Sequence, residues 1–346
     1  MRYNIIDIEK KEGEAEVQAQ QQYKTTVNRI AFSLLLFLAA SALQGGVLAI
    51  FPYVSASLSD LAADVIYELL SGVLYAAVFC LPVLFFSLIT PKAQREPMYL
   101  DLKMPRESLL YILFGVAVFS AAAYAKSFMV SIFDYSDFSE EVLWNTDVSS
   151  NYQLVLMFLT LAIIPAFVEE LLFRGMVLGN LLPYGRTTAI FASALLFGLM
   201  HQNIEQMFYA TVAGIVLGWV YASTRSIWPC VLLHLFNNFQ SVLQTAVLER
   251  LPEGTASAIL YIVKGVLFLA GILSGVLLFL REKDRRPLIR RMGAFGRELE
   301  PSEEYAVHDL PLSVRVKGFF TPPMIAFCVL CVLSMLALVL MAVLLY

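Results

Sequence analysis

The sequence predicts an all-α fold, a polytopic transmembrane helix bundle of about eight to nine helices. Two observations predict it. Hydrophobic residues make up 59% of the 346-residue chain and charged residues 15%, against roughly 45–50% and about 25% in soluble globular proteins. The apolar residues also fall into runs close to the ~20 residues that a spanning helix needs. No nucleic-acid-binding module is recognisable. The net charge of −4 says little about partners, because the charges are segregated by loop.

Taken in order, residues 1–27 read as a polar cytoplasmic N-terminal segment with acids and a Gln run. A cleavable signal peptide is not expected there, since that would place a short apolar core behind a basic start. Apolar runs at 29–53, 63–90 and 107–133 form accessory helices within 28–148. Runs at 152–181, 187–201, 204–222 and 227–248 form helices 4–7, the candidate catalytic core within 149–248; the second of these is short. Runs at 256–280 and 322–346 complete the C-terminal part, 249–346, around the basic loop 281–321.

Lys and Arg in short loops mark the cytoplasmic side. Loop 91–106 carries Lys92, Arg95, Lys103 and Arg106, loop 182–186 has Arg186, and loop 223–226 has Arg225. Loop 281–321 carries nine more, among them Arg290, Arg291, Arg297 and Arg315. On the opposite side, 54–62 has none, 134–151 has none but five acids, and 249–255 has only Arg250. Nine alternating helices satisfy this pattern with the N terminus cytoplasmic. The basic loop acts as a topology determinant or holds anionic lipid headgroups. The expected setting is a plasma membrane, with the lipid bilayer as a partner.

Gly175/Gly179 and Gly214/Gly218 have the small-xxx-small spacing that lets helix backbones approach. They suggest close packing of the fourth and sixth helices. Cys328 and Cys331 form a C-x-x-C in the last apolar run. With no second pair to complete a zinc site, helix packing explains them.

Glu169, Glu170 and Arg174 interrupt the fourth apolar run. An ionisable group at the bilayer centre costs about 2.5–3.5 kcal/mol on insertion scales, so such groups mark a functional site by default. At 100° per residue, Glu170 and Arg174 are neighbours on one face, in the favourable order for an i,i+4 ion pair. Glu169 points about 100° away from Glu170 and has no partner within its helix. A buried carboxylate without a counter-ion suits general-base work.

Two of the three histidines, His201 and His234, lie in apolar segments nearby. Asn238 follows His234 on the same helix face. Imidazole suits proton transfer near pH 7, and an imidazole with a carboxamide can donate to a developing oxyanion. Glu68, Lys126 and Lys264 lie within about eight residues of predicted helix ends, where snorkelling accounts for them. His308 falls in the cytoplasmic loop and is expected to be solvated.

The three segments Glu169-Glu170-x-x-x-Arg174, Phe197-x-x-x-His201 and His234-x-x-x-Asn238 occur in that order on separate apolar runs. As a set they resemble the CPBP (Abi) family, which contains type II CAAX prenyl endopeptidases and bacterial relatives that include bacteriocin-processing and self-immunity proteins. The resemblance covers roughly 150–242. It implies an intramembrane endopeptidase in which Glu169 and His201 activate a water. Glu170, held by Arg174, would support the site, and His234 and Asn238 would stabilise the oxyanion. The substrate would be a peptide or protein in or at the membrane: prenylated, leader-peptide or otherwise membrane-associated.

No cofactor is the favoured reading. Zinc is the alternative, because Glu169, His201 and His234 could form an open three-ligand site. There is no H-E-x-x-H, which presents two ligands from one helix. Two further readings are a proton-coupled transporter using the same groups as a relay and a non-catalytic immunity or scaffold protein. The transporter reading lacks the internal repeats that would support it.

By rise per residue, Glu169 and His201 lie about 20 Å from their cytoplasmic helix ends and His234 about 10 Å. These depths agree only if helices tilt, break or begin below the surface. Pro165, four residues before Glu169, is placed to kink the fourth helix.

Overall fold

The computed structural model describes residues 2–102, 104–133, 150–289 and 310–345. Positions 134–149, with the acid-rich loop, and 290–309, with most of the basic loop and His308, lie outside the described residues. Ten helices and no strands are described: α1 (Arg2–Val54), α2 (Asp60–Ile89), α3 (Ser108–Phe133), α4 (Asn151–Tyr184), α5 (Arg186–Met200), α6 (Ile204–Thr224), α7 (Trp228–Arg250), α8 (Glu253–Ile289), α9 (Leu312–Phe319) and α10 (Pro322–Leu345). Among the described residues, seven helices are long and apolar enough to cross a membrane. Two of the nine expected spans differ. At 15 residues, α5 is too short. The other, α7, is 23 residues long, but from its tenth residue on it carries Asn237, Asn238, Gln240, Gln244, Glu249 and Arg250.

Local chemistry sets the helix ends. Ser59 caps α2, its hydroxyl accepting from the Ala62 N–H. Ser150 and Gln153 form a reciprocal capping box at the start of α4. Asn203 caps α6 by accepting from the Gln206 N–H. Between α4 and α5 the chain turns at Gly185, whose φ of +144° is strained for any residue with a Cβ.

The polar N-terminal segment is helical and continuous with the first apolar run, forming the 53 residues of α1. Its residues Ala19, Tyr23 and Val27 are buried, and the Tyr23 hydroxyl donates to the Arg315 carbonyl at 3.1 Å. The start of α1 is therefore docked on the bundle through α9. Cys331 is fully buried beside Phe327 and Met324 on α10, as helix packing requires.

The centre of the bundle is α4, which packs against α2, α5, α6 and α7. It is not a simple kinked helix. Two π-helical stretches, Phe158–Ile163 and Leu171–Leu178, flank an α-helical piece, Ile164–Glu170. Pro165 has no N–H, so the Leu161 carbonyl loses its α-helical donor four residues on. The winding of the helix thus changes on either side of the proline-containing piece, a change often found at functional sites.

A Cβ on Gly214 would lie 2.8 Å from the Ala194 Cα, and one on Gly218 3.2 Å from Ile190 and 3.5 Å from Leu178. That face of α6 therefore meets α5 most closely and α4 as well, the Gly214 carbonyl accepting from Arg174. Gly175 sits under Met98 of the α2–α3 connection. Glu68, Lys126 and Lys264 also find partners inside the bundle rather than only reaching outward. Glu68 accepts from Thr160 at 3.3 Å, Lys126 lies 3.7 Å from Glu205, and Lys264 donates to Gln244 at 2.8 Å.

Gly214→Ala is expected to destabilise the protein by about 1–3 kcal/mol through overpacking against α5 backbone. Gly254→Ala, at a position with no atom within 4 Å of the new Cβ, is expected to be neutral or stabilising. Thermal unfolding in detergent checks both.

Candidate active site

The site is assembled on α4 from two adjacent carboxylates. Glu170 and Arg174 are fully buried and Glu169 and His234 nearly so, at 0%, 0%, 3% and 7% exposure. Arg174 Nη1 donates to Glu170 Oε1 at 3.1 Å, the i,i+4 pair expected from spacing. Its Nη2 donates to the Gly214 carbonyl of α6 at 3.3 Å. The guanidinium lies 4.6 Å from the centre of the Phe197 ring, a cation–π contact strengthened by desolvation.

His234, from α7, completes the group. Its Nδ1 is 2.8 Å from Glu170 Oε1, so Glu170 receives both Arg174 and His234. A carboxylate accepts, so Nδ1 carries the proton and Nε2 is the second, titrating nitrogen. That Nε2 lies 3.9 Å from Glu169 Oε2, beyond direct hydrogen bonding. With a neutral imidazole, two carboxylates face one guanidinium and the group carries one net negative charge. One proton on the His234–Glu169 pair makes it neutral. Burial of unbalanced charge is expensive.

The partner of Glu169 comes from outside its helix. The Tyr75 hydroxyl of α2 donates to Glu169 Oε1 by a short hydrogen bond. Glu169 Oε2 makes no hydrogen bond among the described residues and is the oxygen turned toward His234.

His201 sits at the C-terminal cap of α5. Its Nδ1 is 2.8 Å from the Phe197 carbonyl, which only accepts, so Nε2 is the basic nitrogen of the neutral ring. Phe197 joins the two histidines: its ring centre lies 5.0 Å from that of His201 and 6.0 Å from that of His234, both edge-to-face.

Asn238 is placed by α7 against the break in α4. Its Nδ2 donates to the Leu161 carbonyl at 3.0 Å, the same carbonyl deprived by Pro165. Its Oδ1 accepts from Asn237, and Asn237 in turn accepts from Tyr209 at 2.5 Å. His234 is thus bound to Glu170, and Asn238 to α4 backbone. An amide nitrogen has two N–H groups, so one remains for a ligand.

Among the described residues, no group of three or more His, Cys, Asp or Glu side chains is arranged to hold a metal ion.

Sequence reasoning missed Tyr75, one of sixteen tyrosines and set in an apolar run. The available signal was weak: Glu68, Gly72 and Tyr75 fall on one face of α2. The anchoring role of Phe197 was also invisible, although the residue begins a recognised motif.

A multi-pass membrane protein with a buried carboxylate–histidine–arginine cluster is the class these features define. Residues 151–240 match the family model described as type II CAAX prenyl endopeptidase Rce1-like. Over 165 residues the chain is 29% identical to a Bacillus subtilis (strain 168) protein named "Putative membrane peptidase YdiL". That match covers 45% of this chain and 66% of the relative, just under two thirds of the relative's length. No solved structure matches the chain. Within 151–240 the chain is thus similar to the CAAX protease-like family.

Arg174→Leu would leave Glu170 buried with one cation fewer. It is expected to destabilise the protein by about 3–5 kcal/mol, read as loss of monodisperse protein or a lowered Tm. Glu169→Gln replaces a group held by a neutral hydroxyl, and folded protein is expected at near wild-type yield.

Proposed function

We propose that the protein is an intramembrane endopeptidase that hydrolyses a peptide bond with an activated water. The observation that carries this reading is the buried cluster of Glu169, Glu170, Arg174 and His234, lying inside the segment that matches the peptidase family model. A structural ion pair needs only Glu170 and Arg174. The second carboxylate, with an oxygen turned toward an imidazole, suits proton transfer.

In this mechanism Glu169 Oε2 takes a proton from water as the water oxygen attacks the scissile carbonyl carbon. His201 Nε2 accepts from the same water and aligns it. The carbonyl π electrons move to oxygen, giving a tetrahedral oxyanion. Imidazolium His234 donates to that oxyanion through Nε2, and Asn238 through its second N–H. Glu169 then delivers its proton to the leaving nitrogen as the C–N bond breaks, leaving a carboxylic acid and an amine. Glu170 and Arg174 orient His234 and balance its charge. The substrates are membrane-associated peptides or proteins, prenylated or carrying a leader segment. We place the N terminus on the cytoplasmic side of a plasma membrane, from the Lys and Arg distribution.

Glu169→Gln and His201→Ala are expected to lower turnover by roughly 10²–10⁴-fold, the size of a general acid–base contribution. The readout is mass spectrometry of new peptide termini in membranes of cells making the wild type or each variant. Identical termini in wild type and Glu169→Gln would overturn the reading.

The metal-free form of the mechanism is tested with EDTA on purified protein in liposomes, using a peptide that spans the strongest mapped cut. Turnover is expected to persist. Its loss, with recovery on adding zinc, would support the zinc version instead.

A further inference from the structure

One face of α2 runs along α4 at the site. Glu68, Gly72, Tyr75 and Phe79 are spaced four, three and four residues apart, which puts them on one helix stripe. Glu68 accepts from Thr160 at 3.3 Å. At Gly72 a Cβ would lie 3.1 Å from both Thr160 and Ile164, so the backbones approach closely between the two polar contacts. One turn further, the Tyr75 hydroxyl donates to Glu169 Oε1. Phe79, buried, packs against the Tyr75 ring with centres 4.7 Å apart, and against Phe37 of α1 at 5.0 Å. The tyrosine ring is thus held from the side away from the carboxylate.

A glutamate carboxylate has two equivalent oxygens and a softly rotating terminal torsion. A donor on one oxygen removes that freedom. With Oε1 bound to Tyr75, Oε2 is directed to His234 Nε2, 3.9 Å away. No other side chain is recorded as a hydrogen-bond donor to Glu169 among the described residues. We infer that Tyr75 is a positioning residue of the reaction: its hydroxyl selects Glu169 Oε2 as the proton-accepting oxygen, so that α2, outside the segment 151–240 matched by the family model, is part of the active site. This rests on the endopeptidase reading given above.

The test uses the full-length protein in liposomes and the peptide spanning the strongest mapped cut. Tyr75→Phe keeps the ring that packs on Phe79 and removes only the donor. It is expected to lower kcat by roughly 10- to 100-fold, the range for one hydrogen bond to a charged group, with KM unchanged. Thr160→Val removes the other α2–α4 polar contact, lowers Tm and leaves kcat at the wild-type value. An equal loss of kcat in Thr160→Val would make the effect one of helix packing and overturn the inference. Unchanged kcat in Tyr75→Phe, with turnover lost in Glu169→Gln, would overturn the inference and leave the endopeptidase reading intact. Turnover retained in both would overturn the endopeptidase reading.

An arm independent of turnover is infrared spectroscopy of protein labelled with ¹³C-glutamate. The Glu169 carboxylate band, identified by its loss in Glu169→Gln, is expected to shift in Tyr75→Phe and to stay in place in Thr160→Val. An unshifted band in Tyr75→Phe would overturn the hydrogen bond on which the inference depends.

Discussion

The arrangement depends on keeping Glu170 charged in an apolar bundle. One of its oxygens receives both the Arg174 guanidinium and His234 Nδ1. Removing either donor would leave a buried charge without full compensation, which is strongly destabilising. This one oxygen therefore ties α4 to α7. Arg174 extends the tie to α6 through the Gly214 carbonyl, and to α5 through the Phe197 ring. The three helices that carry the recognised motifs, together with α6, are joined at a single electrostatic point. Glu169 stands outside this ion pair, which leaves it for the chemistry in the proposed mechanism.

The second constraint is the winding of α4. A helix that is central, contains proline and carries adjacent carboxylates has backbone groups to satisfy that a regular α-helix would leave unpaired. The π-helical stretches and the Asn238 amide meet that need at Pro165 and Leu161. Asn238 thus has a structural duty as well as the catalytic one proposed for it. The same contact explains why a polar stretch, Asn237-Asn238, is tolerated on α7. Its side chains are used between helices, not offered to lipid, and this polarity is what removes α7 from the set of plainly membrane-spanning helices.

Much of the fold was legible from apolar run lengths, because in a bilayer backbone groups must be satisfied within each segment and length is set by membrane thickness. The ends of α2, α3, α5, α6 and α7 fall within a few residues of the expected limits. The helical state of the polar start of α1 was not legible. It goes with the burial of Ala19, Tyr23 and Val27 and the docking of Tyr23 on α9, a contact 292 residues distant in sequence. The Gly214/Gly218 stripe announced a close approach but not its partner, since small residues permit contact without choosing the surface that fills it.

For the site, the sequence by itself determined the ion pair and the odd carboxylate. Both follow from the helical repeat, which acts over one turn and needs no other part of the chain. Only the tertiary structure decided what Glu169 and His234 touch. Tyr75 is 94 residues from Glu169, and His234 is 64 residues from Glu170. Pairings across such separations are set by how whole helices pack, and packing responds to every side chain along the interface rather than to any local spacing. The residues that carry charge were therefore readable one helix at a time. Their division of work, with Glu170 holding His234 and Tyr75 holding Glu169, required three helices to be brought together.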